Sequence, residues 1–201
     1  MFGVAGIFFG FLVGWIVFAG QPGTVAPAPP RATQTTAPPP QAPPALDESR
    51  AAALKATADQ NPSDAQTRVL LGNLYFDAER YDDAVRWYEA ALKVDSKNVN
   101  ASTDLGIAYY YSNQPDRALA QFERSLAIDP KHSKTLLNVG IVRAFAKQDL
   151  DGSAKAWHQV LDVAPGSPEA SVARRGLDSL CAAHPGPTGA QAPARSPGQP
   201  E

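Results

Sequence analysis

Gly72, Gly106 and Gly140 recur at a constant period of about 34 residues. Tyr88, Phe122 and Trp157 supply an aromatic at the same period, the second interval one position longer, and Leu71, Leu105 and Val139 sit just before the glycines. Ala84 and Ala118 keep the period, as do Leu92 and Leu126, with Leu161 one position late. Pro62, Ser96, Pro130 and Pro165 punctuate the chain in the same register, the last again one position late. A fixed period of this length leaves few folds open. Each unit is one supersecondary motif that cannot bury its apolar face alone, so the units must stack on one another.

Every period divides into two helical patterns. In the first, Val69, Leu70, Asn73, Leu74 and Asp77 follow a helical spacing, and Ala84, Tyr88, Ala91 and Leu92 follow it again after a break near Glu79-Arg80-Tyr81. Ser112-Asn113-Gln114-Pro115 marks the same break one period later, with Pro115 suited to a first helical turn. Asp64 and Asn98 are placed to cap the first helices of two repeats. No strand-like alternation of any length is present, so the expected fold is all-α, a stack of helical hairpins.

Leu-Gly-x-x-Tyr, then Ala, an aromatic, Ala-Leu and Asp-Pro at this period resembles the tetratricopeptide repeat. Leu71-Gly72, Tyr75, Ala84, Tyr88 and Ala91-Leu92 carry it in repeat one; Leu105-Gly106, Tyr109, Ala118, Phe122, Leu126 and Asp129-Pro130 carry it in repeat two. Repeat three departs from the pattern: Arg143 replaces the tyrosine, Ser153 the alanine, and one extra residue lengthens the loop near Gln148. The resemblance implies a right-handed solenoid with repeats at about 65–98, 99–132 and 133–167. A flanking helix over 47–60 and a capping helix over 167–183, opened by Ser167-Pro168-Glu169, would complete a domain over residues 46–184. In this arrangement the glycines and Ala84 and Ala118 let paired helices approach, while the aromatics fill the volume between repeats.

The flanks have another composition. Nine of the 19 prolines fall in residues 21–45 and five more in 185–201. The stretch 46–184 carries all but two of the 18 Lys and Arg and all but one of the 20 Asp and Glu. Residues 21–45 lack the apolar bulk to offset their ordering entropy and read as a disordered Pro/Ala-rich linker, semi-extended; a ligand for an SH3-like module is the rarer reading of such a composition. The tail over 185–201 reads the same way. Residues 2–20 hold no charged side chain, and nineteen helical residues rise about 28 Å, enough for a bilayer core. A transmembrane helix over 1–20 is expected. The rival is a cleaved signal peptide ending near Val17-Phe18-Ala19; the long apolar run and the lack of a preceding Lys or Arg favour the anchor. Gly6, Gly10 and Gly14 share one face of that helix and could pack against another membrane helix, giving oligomers, although glycine is simply common in such helices.

Chemistry is poorly represented. His132, His158 and His184 are far apart in sequence with no ligand spacing, Cys181 is the single cysteine, and no phosphate-binding glycine loop occurs. Asp82-Asp83, and Asp149 with Asp151, open second helices, where the dipole favours acids. No cofactor or metal is expected, and no enzyme activity. The acidic balance lacks the basic stripe that nucleic acid requires.

What remains is recognition. The resemblance implies a concave face lined by first helices, with Gln66, Val69, Leu70, Asn73, Phe76 and Asp77 from repeat one. Repeat two would add Asn100, Thr103, Asp104, Ile107, Tyr110 and Tyr111; repeat three Lys134, Leu137, Asn138, Ile141, Ala144 and Phe145. The candidates for peptide binding are Asn73, Phe76, Asp77, Ile107, Tyr110, Tyr111, Lys134, Asn138, Ile141 and Phe145, with an apolar peptide side chain between the two tyrosine rings. For each aromatic, packing against a neighbouring helix is the competing role. Tetratricopeptide domains that grip chaperone C-terminal carboxylates use Lys, Asn and Arg at fixed positions; Asn73 and Lys134 match them, whereas Val69, Asp104 and Asn138 do not. The expected function is a membrane-anchored scaffold or adaptor for a protein or peptide partner. Its setting would be a single-pass protein of a bacterial inner membrane, with the folded part periplasmic or, alternatively, cytoplasmic. An anchor joined to such repeats also resembles the apocytochrome-holding modules of cytochrome c maturation; a regulatory subunit of a membrane enzyme complex is a third possibility.

Overall fold

Eight helices follow one another in the computed structural model, which describes residues 44–183. They are α1 (Glu48–Gln60), α2 (Ala65–Asp77), α3 (Tyr81–Val94), α4 (Val99–Tyr111), α5 (Pro115–Ile128), α6 (Ser133–Phe145), α7 (Leu150–Val163) and α8 (Pro168–Ala183). Each start has a local cause. Asp47, Asp64, Asn98 and Asp149 accept hydrogen bonds from the backbone N–H groups of Arg50, Thr67, Ala101 and Gly152 at 2.8–3.0 Å, satisfying donors that the first turn leaves free. Ser167 Oγ does the same for Ala170 at 3.1 Å, and Pro115 takes the first turn of α5.

The hairpins α2–α3, α4–α5 and α6–α7 are the closest-packed pairs, and each packs on the next through α3–α4 and α5–α6. Helix α1 covers one end against α2; α8 covers the other against α7 and α6. Arg174, Arg175 and Asp178 keep the outside of α8 polar.

Inside the hairpins each aromatic lies on the glycine of its own hairpin. A Cβ added at Gly72 would stand 2.5 Å from the Tyr88 ring, and Gly106 and Gly140 face Phe122 and Trp157 just as closely. The ring occupies the volume that a side chain on the facing helix would need. Trp157 is gripped twice, because a Cβ added at Gly176 of α8 would stand 2.6 Å from its other edge. Its indole Nε1–H donates to Leu137 O at 3.2 Å.

Glu79, Asn113 and Gln148 turn each hairpin in the left-handed region, with φ of 57°, 58° and 54°. In the first two, Arg80 N donates to Tyr75 O and Gln114 N to Tyr109 O, the six-residue closure that ends a helix through a left-handed residue. In the third, Asp149 N reaches one residue further back, to Arg143 O. The additional residue of repeat three lies in that loop.

The apolar core forms two clusters. One runs from Ala58 to Val142 through Leu71, Tyr88, Leu105 and Phe122; the other joins Leu136, Leu137, Trp157, Val160, Ala170 and Ala173. A buried polar seam runs through α4, α5 and the start of α6. Thr103 Oγ1 and Thr135 Oγ1 are 2.7 Å apart, Gln121 Nε2 donates to Ser102 Oγ at 2.7 Å, and Ser125 Oγ donates to Ser102 Oγ at 2.8 Å. Among the described residues no helix is long and apolar enough to cross a membrane. The expected anchor with Gly6, Gly10 and Gly14, residues 21–43 of the expected linker and the expected tail over 185–201 lie outside the described residues.

Candidate functional site

The first helices of the three hairpins, α2, α4 and α6, share one face, and a groove of about 310 Å³ opens on it. Asn73, Phe76 and Asp77 of α2, Asp104 and Ile107 of α4, and Lys134 of α6 line it, with Tyr88 of α3 at its floor. Five of the ten candidate residues therefore meet in one place. Tyr111 adjoins it through Phe76, packing edge-to-face on that ring at 5.4 Å and stacking on Tyr81 at 5.1 Å, and Tyr110 packs on Tyr111. Asn138, Ile141 and Phe145 lie further along α6, outside the groove lining. Asn138 Nδ2 donates to its own helix at Lys134 O, 2.8 Å away, and Ile141 leans on the second core cluster. Phe145 is 72 % exposed.

Several expectations change in detail. Val69, Thr103 and Leu137 are buried and face the packing, not the groove. No apolar side chain fits between Tyr110 and Tyr111, whose rings touch edge-to-face at 5.5 Å. Tyr110 is half-buried against the first core cluster, whereas Tyr111 is 54 % exposed.

The polar groups are already partly committed. Asn73 Oδ1 accepts a 2.7 Å hydrogen bond from the Tyr88 hydroxyl, so only the Asn73 amide N–H groups remain to donate. Lys134 Nζ sits 2.6 Å from Asp104 Oδ1. Burial, then the charges of Asp104 and Asp77, push the Tyr88 phenol well above its ordinary range. Asp104 and Tyr81 complete the site, and neither is among the ten peptide-binding candidates read from the sequence. Asp104 carries a signal there: Lys134 lies one helical turn short of a full repeat beyond it, which sets opposite charges face to face on two adjacent first helices.

Residues 72–113 match the family described as TPR repeat, and residues 100–132 the family described as tetratricopeptide repeat. Residues 72–132 carry tetratricopeptide repeats. The third hairpin lies beyond both matches but repeats the glycine-on-aromatic contact of the first two. No curated protein matches the sequence. Among solved structures, the first TPR domain of human RPAP3 is 26 % identical with a TM-score of 0.54, over 61 % of this chain and 96 % of its own. MamA is 20 % identical with a TM-score of 0.54, over 64 % of this chain and 77 % of its own. The first TPR of Spaghetti (RPAP3), solved with the HSP90 peptide SRMEEVD, is 24 % identical with a TM-score of 0.53, over 58 % and 95 %. At such identities the likeness is one of fold.

A second cleft of about 330 Å³, between α3, α4 and α5, is open, but several of its polar side chains are bonded to one another. The Tyr109 hydroxyl donates to Glu89, the Arg117 guanidinium lies 4.0 Å from the Tyr109 ring centre, and Gln121 bonds Ser102. Burial and then the hydrogen bond to Glu89 push the Tyr109 phenol up to about 12. His132 is also internally satisfied, with Nδ1 2.7 Å from Thr135 Oγ1 and Nε2 3.1 Å from Asn100 Oδ1. Among the described residues no cluster of three or more His, Cys, Asp or Glu is placed to hold a metal ion.

Proposed function

We propose that this chain is a membrane-tethered scaffold that holds a peptide segment of a partner protein in the groove of α2, α4 and α6. The observation that carries the reading is the convergence of Asn73, Phe76, Asp77, Ile107 and Lys134 on one open groove, continued by an exposed aromatic shelf. An apolar floor with a few oriented polar groups suits an extended or helical peptide. That a domain of the same fold was solved with a bound peptide agrees with this use of the fold. Residues 2–20 would tether the scaffold to a bacterial inner membrane, and the linker would hold the repeats away from it on the periplasmic side.

A pull-down tests the groove. Replacing Ile107, which lines the groove, and the exposed Tyr111 beside it together by Ala removes apolar contact area at the site. Loss of aromatic anchors typically costs 2 kcal/mol or more, about thirtyfold in affinity. Unchanged capture of the partner by this double variant would place recognition elsewhere. A haem protein among the captured partners would favour the apocytochrome-holding reading. A reporter fused at Glu201, active on one side of the membrane only, decides the topology.

A further inference from the structure

The groove is built with the charge logic of a carboxylate-binding site turned over. Lys134, the cation that would meet an anionic ligand, is held by Asp104 at 2.6 Å. Asp77 lies exposed on the same lining and has no ion-pair partner among the described residues. Two carboxylates against one committed ammonium leave the lining net negative. The Tyr88 phenol at the floor registers this, being pushed up by both aspartates beyond what burial does. An anion entering here would face Asp77 and would have to break the Lys134–Asp104 pair. A cation faces the opposite situation, and it also meets the Phe76 ring on the same lining, an aromatic group of the kind that attracts guanidinium and ammonium groups.

We infer, building on the groove reading above, that the occupant is a basic-apolar peptide segment: a Lys or Arg at Asp77 with a neighbouring apolar side chain on Ile107 and Phe76. The Asn73 amide N–H donates to a peptide carbonyl and so fixes the segment without regard to its sequence. Lys134 acts as a latch on Asp104 and repels a second cation, which spaces the basic residues of the ligand.

Two labelled peptides separate the alternatives when titrated by fluorescence anisotropy into the full chain in detergent. One is SRMEEVD with its free C-terminus; the other is the same peptide with its three acidic residues changed to Lys and its C-terminus amidated. The basic peptide should bind about tenfold more tightly, with the preference shrinking as salt rises. Asp77→Asn should weaken it about fivefold. Asp77→Asn with Asp104→Asn, which frees Lys134, should reverse the preference.

Equal binding of both peptides, weakened alike by Ile107→Ala, overturns the charge inference and keeps the groove. Binding that neither Asp77→Asn nor Ile107→Ala weakens overturns the groove reading as well. Failure of the basic peptide to bind at about 1 mM, the weakest affinity such an assay resolves, also overturns the inference. Basic-peptide binding that appears only in Arg195→Glu would mean that the chain's own tail occupies the groove, and it overturns the partner assignment.

Discussion

Replacing Gly106 by Ala isolates the contact on which each hairpin is built. Helix propensity alone favours alanine by about 0.5–1 kcal/mol. The new methyl, however, would stand 2.6 Å from Phe122 Cδ1 and 3.1 Å from Cζ, closer still to Cε1, where carbon atoms prefer about 3.5–4.0 Å. Phe122 is 0 % exposed, so the ring has no open side to swing toward. Overpacking of this kind costs about 1–3 kcal/mol, and the clash outweighs the propensity. Gly106→Ala should destabilise by about 1–2 kcal/mol and lower the melting temperature by about 3–8 °C; Gly106→Leu should cost more. Gly166→Ala is the control, since a Cβ there meets nothing within 4 Å; it should be neutral or gain up to about 1 kcal/mol. Phe122→Leu in the Gly106→Ala background should recover about 1 kcal/mol relative to additivity. Thermal unfolding by far-ultraviolet circular dichroism reads these four variants together with Phe122→Leu alone, which the additivity comparison requires. If both alanine variants move stability in the same direction, the glycine is not defined by its ring contact.

Three further outcomes follow from local features. Asn98→Ala should cost about 1 kcal/mol in a urea melt by removing the cap on the Ala101 N–H. Low pH should act selectively: hydrogen bonds from the Thr67 hydroxyl and backbone N–H hold Asp64 below its ordinary range, so its contribution is complete above the unfolded carboxyl pKa and is lost as pH falls through the folded value, below about 4. Amide exchange at Thr67 should then accelerate on acidification relative to Ala101, whose cap is neutral; equal acceleration would contradict the assignment. Glu79→Gly should stabilise by about 0.5–1 kcal/mol because glycine adopts the observed φ of 57° without strain, and an unaltered melt would show that the turn relaxes.

The architecture was legible because the period, the capping residues and the break points are local, and local signals survive without a partner. Asp64, Asn98, Pro115 and Ser167-Pro168 announce helix starts through chemistry confined to one turn. Glu79 and Gln148 were not legible as left-handed residues, since neither is the Gly or Asn such a turn favours; their conformation is imposed by the packing of the flanking helices. The site was half legible. Which residues share the first-helix face follows from the repeat register, but which are already occupied does not. The Tyr88 bond to Asn73 and the Lys134 bond to Asp104 depend on helix separations that only packing sets. The same holds for Tyr81, a second-helix residue whose stacking on Tyr111 joins the aromatic shelf to the next hairpin.

Site-specific photocrosslinking tests the central claim most directly. A photoreactive phenylalanine placed at Ile107, in the groove, and at Arg124, on the second-helix side, compares the two faces of the same repeat in the full chain inside cells. The account predicts a partner adduct from position 107 and none from position 124. An adduct from position 124 alone would contradict it.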